Sequence, residues 1–421
     1  MKNNDNYYST SANCISNINN YITKNSCKGI KKILAIFMTI SMLFTFNIDA
    51  YETTTEYNDS FSKASIIIDQ ETSRVIYEKN ADMQLPLASL SKMMTFLIAI
   101  EAIENGEVSK DDIVKIDEEA AKVAGSTYNL KEGEEVPLIE LMKGLMIVSG
   151  NDASVAIAKH ISGTQEKFVE RMNNRTKELG LKNTNFINPN GLPIYQNGDQ
   201  MTIPLENKSS ARDIALLGKY MMDKYETQVT DITDMQTYTY DERNFSKNNT
   251  NSLLSAIPEV DGIKTGYTGN AGYCLCFSMK IAKNDNNEKD RRVIGVTLGA
   301  NHKNKRMQAA TSMLNYAKNN TKTVKVQDKD ELIGKRYLKG ISELEVELVT
   351  DSDYFVTLKN DEKVNRIINL SDIKYPIKKG EKIGSIIYKT DKGEMLGSSD
   401  IVSGEEVKTN DIVRLIQLRI K

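Results

Sequence analysis

Three short motifs in this chain carry the residue types that acyl-transfer chemistry needs. They are S-L-S-K at residues 89–92, S-G-N at 149–151 and K-T-G at 264–266. Residues i and i+3 lie on one face of a helix, so the Lys92 amine can reach the Ser89 hydroxyl. Together the motifs supply a serine nucleophile, a lysine base, a Ser/Asn pair and a cationic strand for an anionic substrate.

Each motif also has a structural explanation when it stands alone. An S-x-x-K string fits an N-cap serine followed by an exposed lysine, and S-G-N fits a C-cap glycine followed by an N-cap asparagine. The order of the three motifs, and their places among the predicted helices and strands, favour a single active site. The helix N-terminus would also present the Ser89 backbone N–H as one half of an oxyanion hole.

A lysine base needs an environment that removes its proton. With a reference pKa near 10.4, a neutral Lys92 at pH 7 costs about 4.6 kcal/mol. Desolvation in a cleft and repulsion from a second cation both lower that cost, and Lys264 is the natural second cation. Which group accepts the Ser89 proton stays open at this point.

Other classes of chemistry find little support. The two histidines, His160 late in an amphipathic helix and His302 in a polar run at 301–306, lack the setting of a triad base. No His/Cys/carboxylate cluster has metal-ligand spacing, so we expect no metal and no cofactor. A net charge of −2 offers no basic excess for phosphates, which argues against a nucleic-acid partner.

The chain length of 421 residues predicts two domains with tails. Strands at 64–69, 74–77, 273–281 and 292–299 enclose helices at 89–105, 137–148, 151–161 and 211–224, the last capped by Ser210. This order predicts an α+β fold, an antiparallel sheet flanked by helices, over residues 60–320. Short strands at 344–348, 354–358, 367–370, 382–388 and 395–396 predict a small all-β domain without chemistry over residues 322–408.

The N-terminus has the pattern of an export signal. Four lysines precede an apolar run at 33–48, and Ala50 precedes the expected cleavage point within a signal segment of residues 1–50. That run is shorter than the roughly 20 residues a membrane span needs, and an uncleaved anchor is the alternative. Cys274 and Cys276 share a face of a strand, so we expect core thiols rather than a disulfide.

The tail, residues 409–421, has two interpretations. Aliphatic residues fall largely on one side of a helix with basic residues among them, which is typical of a peripheral membrane-associating segment. A final strand of the β-domain is the alternative. The aliphatic positions are Ile412, Val413, Leu415, Ile416 and Ile420, and the basic ones are Arg414, Arg419 and Lys421.

Longer stretches around the motifs carry a family resemblance. The segments ASIIIDQETSRVIYEKNADMQLPLASLSKMMT, LMIVSGNDASVAIA, NPNGLP and DGIKTGYTGNAGYCLCFSMK resemble the low-molecular-mass penicillin-binding proteins that are D-alanyl-D-alanine carboxypeptidases. The likeness runs from about residue 64 to 318, with a weaker similarity to that family's C-terminal β-domain from 322 onward. It implies a β-lactamase/DD-peptidase-like fold and a serine peptidase that acts outside the membrane.

The resemblance also implies roles for the motif residues. Ser89 would attack peptidoglycan stem peptides ending in D-Ala-D-Ala, and β-lactams would be trapped on the same serine. Ser149 would pass a proton toward the leaving amine, while Asn151 would hold the substrate's amide.

The K-T-G motif precedes a predicted strand, which places it on a sheet edge that can pair with an extended peptide. Lys264 and Thr265 would then bind the terminal carboxylate, and Gly266 would allow close backbone approach. Tyr267 would supply the second oxyanion N–H through its backbone. Many relatives carry histidine there, so we expect tyrosine to alter specificity.

Three alternatives accompany this interpretation. A β-lactamase needs a carboxylate to activate water, and Glu170 to Asn174 matches E-x-x-x-N, but the match lies inside a predicted amphipathic helix at 168–179. A non-catalytic penicillin-binding sensor is disfavoured because Ser89, Lys92 and Lys264 are all present. A DD-endopeptidase uses the same chemistry, and the sequence leaves it open.

Overall fold

The structure is a computed structural model of the chain. It describes residues 57–195, 203–338, 341–372, 376–408, 411–413 and 416, and all of these belong to one compact unit, Tyr57–Lys421. The predicted signal segment at 1–50 lies outside the described residues. Within the described part of the chain, no helix combines the length and apolarity that crossing a membrane requires.

Strands from both ends of the first 300 residues meet in one sheet. Its antiparallel order is β2-β1-β11-β10-β9, so β9 with the K-T-G motif forms an edge, as predicted. The strands up to this point are β1 Ala64–Asp69, β2 Val75–Lys79, β3 Leu85–Pro86, β4 Ile113–Lys115, β5 Glu135–Pro137, β6 Lys208–Ser209, β7 Thr237–Tyr240, β8 Phe245–Asn248, β9 Val260–Thr268, β10 Gly272–Ile281 and β11 Arg291–Ala300.

Helices cover both faces of this sheet, which confirms the α+β class. They are α1 Lys92–Glu104, α2 Glu118–Ala121, α3 Leu138–Met146, α4 Asn151–Ser162, α5 Gln165–Glu178, α6 Ala211–Thr233, α7 Leu253–Ala256 and α8 Lys303–Asn320. Alternate residues of β10 explain the layering, because Cys276 packs in the cluster with α1 and α6 while Phe277 packs in the cluster with α8. Cys274 and Cys276 are free, buried thiols, as expected.

The predicted helix boundaries need correction around the motifs. Ser89 belongs to a short 3-10 helix, Ala88–Ser91, and α1 begins only at Lys92. In the S-G-N turn the left-handed residue is Ser149, with φ 65°, whereas Gly150 has φ −58°. Asn151 does not cap α4, because its side chain is engaged elsewhere. Ser210 does cap α6, which continues past the predicted end to Thr233 with a kink at Tyr225.

A second, all-β region follows α8 and confirms the predicted β-domain class. Its strands are β12 Thr321–Gln327, β13 Leu332–Leu338, β14 Ile341–Thr350, β15 Tyr354–Lys359, β16 Val364–Leu370, β17 Lys382–Thr390 and β18 Met395–Ser403. They form a five-stranded sheet, β13-β14-β18-β17-β16, and a β12-β15 pair. The sequence analysis missed β12 and β13. Lysines and threonines interrupt the apolar alternation of β12, and Gly334, Lys335 and Arg336 interrupt that of β13.

Only part of the predicted tail lies within the described residues. Asp411, Ile412 and Val413 are helical, and Ile412 packs against the β-domain core. Val413 and Ile416 are each 47% exposed. The helical conformation at 411–413 differs from the strand alternative for these three residues.

Candidate active site

The turn before α1 presents Ser89 at the surface of the cleft. Ala88 has φ 49°, and Gly191 packs so closely that a Cβ there would lie 1.9 Å from the Ala88 carbonyl oxygen. The Ser91 hydroxyl donates to the same carbonyl at 2.8 Å and is fully buried. Ser89 remains partly accessible. The local geometry therefore exposes one serine and hides the other.

Lys92 is completely buried and makes three contacts through its amine. Its Nζ lies 2.8 Å from Ser89 Oγ, 2.6 Å from Asn151 Oδ1 and 2.9 Å from the Asn190 carbonyl oxygen. The two carbonyl oxygens can only accept hydrogen bonds. A neutral amine that donates its two N–H groups to them must aim its lone pair at the Ser89 hydroxyl. The geometry is thus that of a base poised on its nucleophile.

The Asn151 amide is held in the orientation that Lys92 requires. Its Nδ2 donates to the Ala124 carbonyl oxygen at 2.7 Å, so its Oδ1 faces Lys92. The Asn151 backbone N–H also donates to the Ser126 carbonyl at 2.8 Å. Both carbonyls come from the loop between α2 and β5. Ser149, which is buried, lies two residues before Asn151 on the strained turn.

The N-P-N-G segment supplies the third Lys92 partner. Asn188 Oδ1 accepts from the backbone N–H of Gly191 at 2.7 Å, and Asn207 Nδ2 donates to the Asn188 carbonyl at 2.9 Å. Helices α1 and α4 anchor the same segment, because Thr95 and Ser154 both donate to the Pro189 carbonyl. The sequence analysis did not find Asn190, since a backbone carbonyl leaves no signal in the residue type.

The K-T-G strand approaches the Ser89 turn at Gly266. A Cβ at this position would lie 2.9 Å from the Leu87 carbonyl oxygen and 3.2 Å from the Ser89 nitrogen. The glycine therefore permits contact between two backbone segments of the enzyme. Thr265 Oγ1 donates to Thr250 Oγ1 at 2.8 Å. Tyr267 is 56% exposed, and its ring lies 4.3 Å from that of Tyr273.

Burial changes the pKa of both lysines. It holds the pKa of Lys92 well below its usual value, and the nearby Lys264 charge lowers it further, while Asp152 opposes the shift. Burial also lowers the pKa of Lys264 to about 7, with a contribution from Arg306. Lys264 Nζ donates to the Thr265 carbonyl at 3.0 Å.

Arg306 was not predicted as a site residue. It lies near the start of α8, donates to the Cys274 carbonyl at 3.3 Å and sits 5.7 Å from the centre of the Tyr273 ring. Only its three-dimensional position brings its charge near Lys264, so no local motif marks it.

The residues that a β-lactamase, a histidine-based triad or a metal site would use do not lie beside Ser89 and Lys92. Glu170 and Asn174 are in α5, as predicted, and line a groove with Glu101, Arg175 and Tyr220. His160 Nε2 lies 3.2 Å from Asp112 Oδ2, and His302 caps α8. Among the described residues, no group of three or more His, Cys, Asp or Glu is arranged to hold a metal ion.

In this site a serine is hydrogen-bonded to a buried lysine beside the edge of an antiparallel sheet that helices cover. This combination is typical of serine peptidases of the penicillin-binding type. The family profile described as D-alanyl-D-alanine carboxypeptidase matches residues 51–302. A second profile, described as the C-terminal domain of penicillin-binding protein 5, matches residues 322–409. The chain belongs to the D-alanyl-D-alanine carboxypeptidase family and is a serine-type D-Ala-D-Ala carboxypeptidase.

Individual relatives are similar to this chain over most of its length, in sequence and in structure. The D-alanyl-D-alanine carboxypeptidase DacF of Bacillus subtilis is 35% identical over 92% of this chain and 97% of its own length. Penicillin-binding protein 5 from Haemophilus influenzae superposes with a TM-score of 0.71 at 29% identity, covering 84% of this chain and 99% of that one. Penicillin-binding protein D2 from Listeria monocytogenes, in a cefotaxime-bound form, gives 0.53 at 28% identity, covering 62% and 98%.

Proposed function

We propose that the enzyme removes the terminal D-alanine from peptidoglycan stem peptides through an acyl-enzyme on Ser89. The three contacts of Lys92 carry this proposal. Ser89 Oγ attacks the carbonyl carbon of the D-Ala-D-Ala bond while Lys92 Nζ takes the hydroxyl proton. Two fixed acceptors, Asn151 Oδ1 and the Asn190 carbonyl, keep the lone pair of the amine on Ser89 as the bond forms.

The developing oxyanion needs two donors. The backbone N–H groups of Ser89 and Tyr267 are the candidates, and the close approach of Gly266 to the Ser89 turn supports them. As the C–N bond breaks, the proton held by Lys92 returns through Ser149 to the leaving amine, and D-alanine departs. Water then attacks the ester carbonyl, gives its proton to the same base and restores the Ser89 hydroxyl.

The substrate's C-terminal carboxylate belongs next to Lys264 and Thr265. An extended peptide can pair with the free edge of β9, which places its end along the K-T-G residues. An anion beside Lys264 favours the protonated amine and offsets the effect of burial. The Arg306 charge adds to the positive potential of this part of the site.

β-Lactams would acylate the same serine. The related Listeria protein was solved with cefotaxime bound, which supports antibiotic binding in this fold. A β-lactam carries an anionic carboxylate beside a reactive amide, so Lys264 and Ser89 meet both groups. The proposed substrate lies in the cell wall. We therefore propose that the enzyme acts outside the cytoplasmic membrane, after an export that the segment at 1–50 directs.

A direct assay tests this proposal. The purified protein without residues 1–50 is incubated with diacyl-L-Lys-D-Ala-D-Ala, and free D-alanine is measured; a parallel sample receives a fluorescent penicillin. We expect D-alanine release together with a covalent label. A label without release would favour a penicillin-binding sensor. Cleavage of a cross-linked dimer of two stem peptides, without D-alanine release from the simple peptide, would favour an endopeptidase.

A further inference from the structure

The β7–β8 hairpin lies outside the three motifs, and it contacts the loop between α2 and β5 through Arg243, Tyr238 and Lys247. Arg243 makes the largest number of these polar contacts. Arg243 Nε contacts the Glu134 carboxylate at 2.5 Å. Its Nη1 donates to the Tyr128 carbonyl at 3.1 Å, and its Nη2 donates to the Asn129 carbonyl at 2.9 Å. The guanidinium also lies 4.2 Å from the centre of the Tyr128 ring. A single side chain thus holds the loop at both backbone and carboxylate.

Tyr128 connects this hairpin to the helices on either side of the S-G-N turn. A Cβ on Gly144 would lie 2.6 Å from the Tyr128 ring, and one on Gly150 would lie 3.0 Å from Tyr128 Cβ. The ring packs edge-on against Phe245 of the hairpin, with centroids 4.7 Å apart. Its hydroxyl lies 2.8 Å from that of Tyr238 in β7. The loop is therefore wedged between hairpin and turn.

The same loop determines the orientation of the Asn151 amide. Ala124 and Ser126 provide the two carbonyls that hold Asn151. The next residue, Asp152, accepts from the backbone N–H groups of Tyr128 at 2.8 Å and Leu130 at 3.0 Å. A continuous series of contacts thus runs from Arg243 through the loop to Asn151, and from Asn151 to Lys92.

We propose that Arg243 is a positioning residue that keeps the Asn151 amide oxygen directed at Lys92. The inference rests on the proposed function of Lys92 as the base. If the loop loosens, the Asn151 amide is free to rotate and present its NH₂ group to the Lys92 amine. The amine then loses one of the two acceptors that aim its lone pair at Ser89, and Ser89 acylates more slowly.

The test compares two arginines that each pair with a glutamate. Arg243→Met removes the proposed clamp. The control is Arg171→Met, in which an arginine of α5 loses a similar two-bond pair, at 2.7 and 3.0 Å, with Glu107 just after α1. We expect the second-order rate of labelling by fluorescent penicillin to fall roughly 10-fold or more in Arg243→Met. It should stay at the wild-type rate in Arg171→Met. Arg243→Lys, which retains the charge beside Glu134, should recover part of the rate.

A double-mutant cycle shows whether the effect passes through Asn151. In an Asn151→Ala background, Arg243→Met should slow labelling by less than about twofold, because the amide it positions is gone. The same fold loss in both backgrounds, or no loss in either, would overturn the proposal. If Arg243→Met fails to fold, Arg243→Lys replaces it in the cycle. The two proposals can fail separately. If the wild-type enzyme is labelled but releases no D-alanine, the carboxypeptidase proposal is wrong, and the double-mutant cycle still tests the role of Arg243 because it measures acylation alone.

Discussion

At the scale of single residues, the two lysines of the site differ in their hydrogen-bond partners, and this difference assigns them different proposed roles. Lys92 faces Ser89 and two carbonyl oxygens, so its neutral form has a defined use. Lys264 donates to the Thr265 carbonyl on the strand edge, where a substrate anion would arrive. The charge of Lys264 lowers the pKa of Lys92, whereas burial and Arg306 lower the pKa of Lys264. A bound anion at Lys264 would therefore favour the protonated form of Lys264.

Removing the nucleophile should abolish both reactions. Ser89→Ala eliminates the hydroxyl that lies 2.8 Å from Lys92 Nζ, and the neighbouring Ser91 is buried with its hydroxyl donating to the Ala88 carbonyl. We expect neither D-alanine release nor covalent penicillin labelling. Peptide mapping of any residual label is the check, with Ser91→Ala as the matched control. A label that persists or moves to Ser91 would show that the nucleophile has been misassigned.

Lys264 should act on the carboxylate of the substrate. Charge-assisted hydrogen bonds contribute about 1.5–3 kcal/mol, so Lys264→Ala should lower kcat/KM for a free-acid peptide roughly 10- to 150-fold more than for its C-terminal amide. The surface variant Lys318→Ala, which only breaks an ion pair with Glu259, is the control. Equal losses on the acid and the amide would mean that Lys264 serves Lys92 or the fold.

The pH profile should separate the two lysines. In the proposed mechanism, Lys264 binds the carboxylate in its protonated form, which is present below its pKa of about 7 and lost above it. We therefore expect kcat/KM for the free-acid peptide to fall as the pH rises through about 7, and Lys264→Ala to remove this fall. In the same mechanism, Lys92 acts in its neutral form, so we expect its lowered pKa to set the acid limb of the profile. A basic limb of the same shape in Lys264→Ala would contradict the assignment.

At the scale of elements, the 3-10 turn that carries Ser89 depends on a glycine in another segment. Gly191→Ala places a methyl group 1.9 Å from the Ala88 carbonyl, at φ +88°. We expect slower penicillin labelling and a loss of roughly 1–3 kcal/mol in the free energy of unfolding. The control is Gly180→Ala, which has φ +69° but meets nothing within 4 Å. Equal labelling rates in both variants would show that the Ser89 turn does not rely on Gly191.

The same elements show what the sequence reveals and what it hides. The K-T-G motif could be placed at a sheet edge because it precedes the alternating apolar residues of β10. The strand that contains the motif, β9, was not predicted with its own bounds. The carbonyls of Ala124 and Asn190 could not be predicted, because every residue type has one and only the fold brings them to Lys92 and Asn151. Arg306 was missed for a related reason. Its charge lowers the pKa of Lys264 because the fold brings the two residues close together, and the sequence does not show that proximity.

At the scale of the whole molecule, the β1–β2 turn joins the catalytic region to the β-domain. The Arg74 guanidinium, almost fully buried, contacts the Thr357 carbonyl at 2.5 Å and the carboxylates of Glu362 and Glu394. Asp69 Oδ2 accepts from the Thr357 hydroxyl at 2.8 Å. Because the two-bond contact of Arg74 with Glu362 is largely buried, we infer that it holds the β-domain, with Ile412 packed on its core, in a defined position relative to the catalytic region.

The last prediction concerns the tail, residues 409–421. It rests on the difference in burial between Ile412 and the exposed Val413 and Ile416. Ile412 packs on the β-domain, whereas Val413 and Ile416 are exposed and available to a membrane surface. Each aliphatic side chain gains about 1.5–3 kcal/mol when fully buried, but interfacial burial is partial and helix ordering opposes it. Basic residues near an anionic surface add about 1 kcal/mol each. We therefore expect weak, reversible association that strengthens with anionic lipid.

Vesicle sedimentation tests this expectation with three forms of the protein. The full chain without residues 1–50 should sediment with anionic vesicles more than with neutral ones, and a chain truncated before Thr409 should remain in solution. Because truncation also removes the packing of Ile412, a Val413→Asp/Ile416→Asp variant is the matched control, since it changes only exposed positions. Equal partitioning of all three forms would exclude a membrane role. Unfolding of the truncated β-domain, with normal partitioning of the double variant, would make the tail a structural part of that domain.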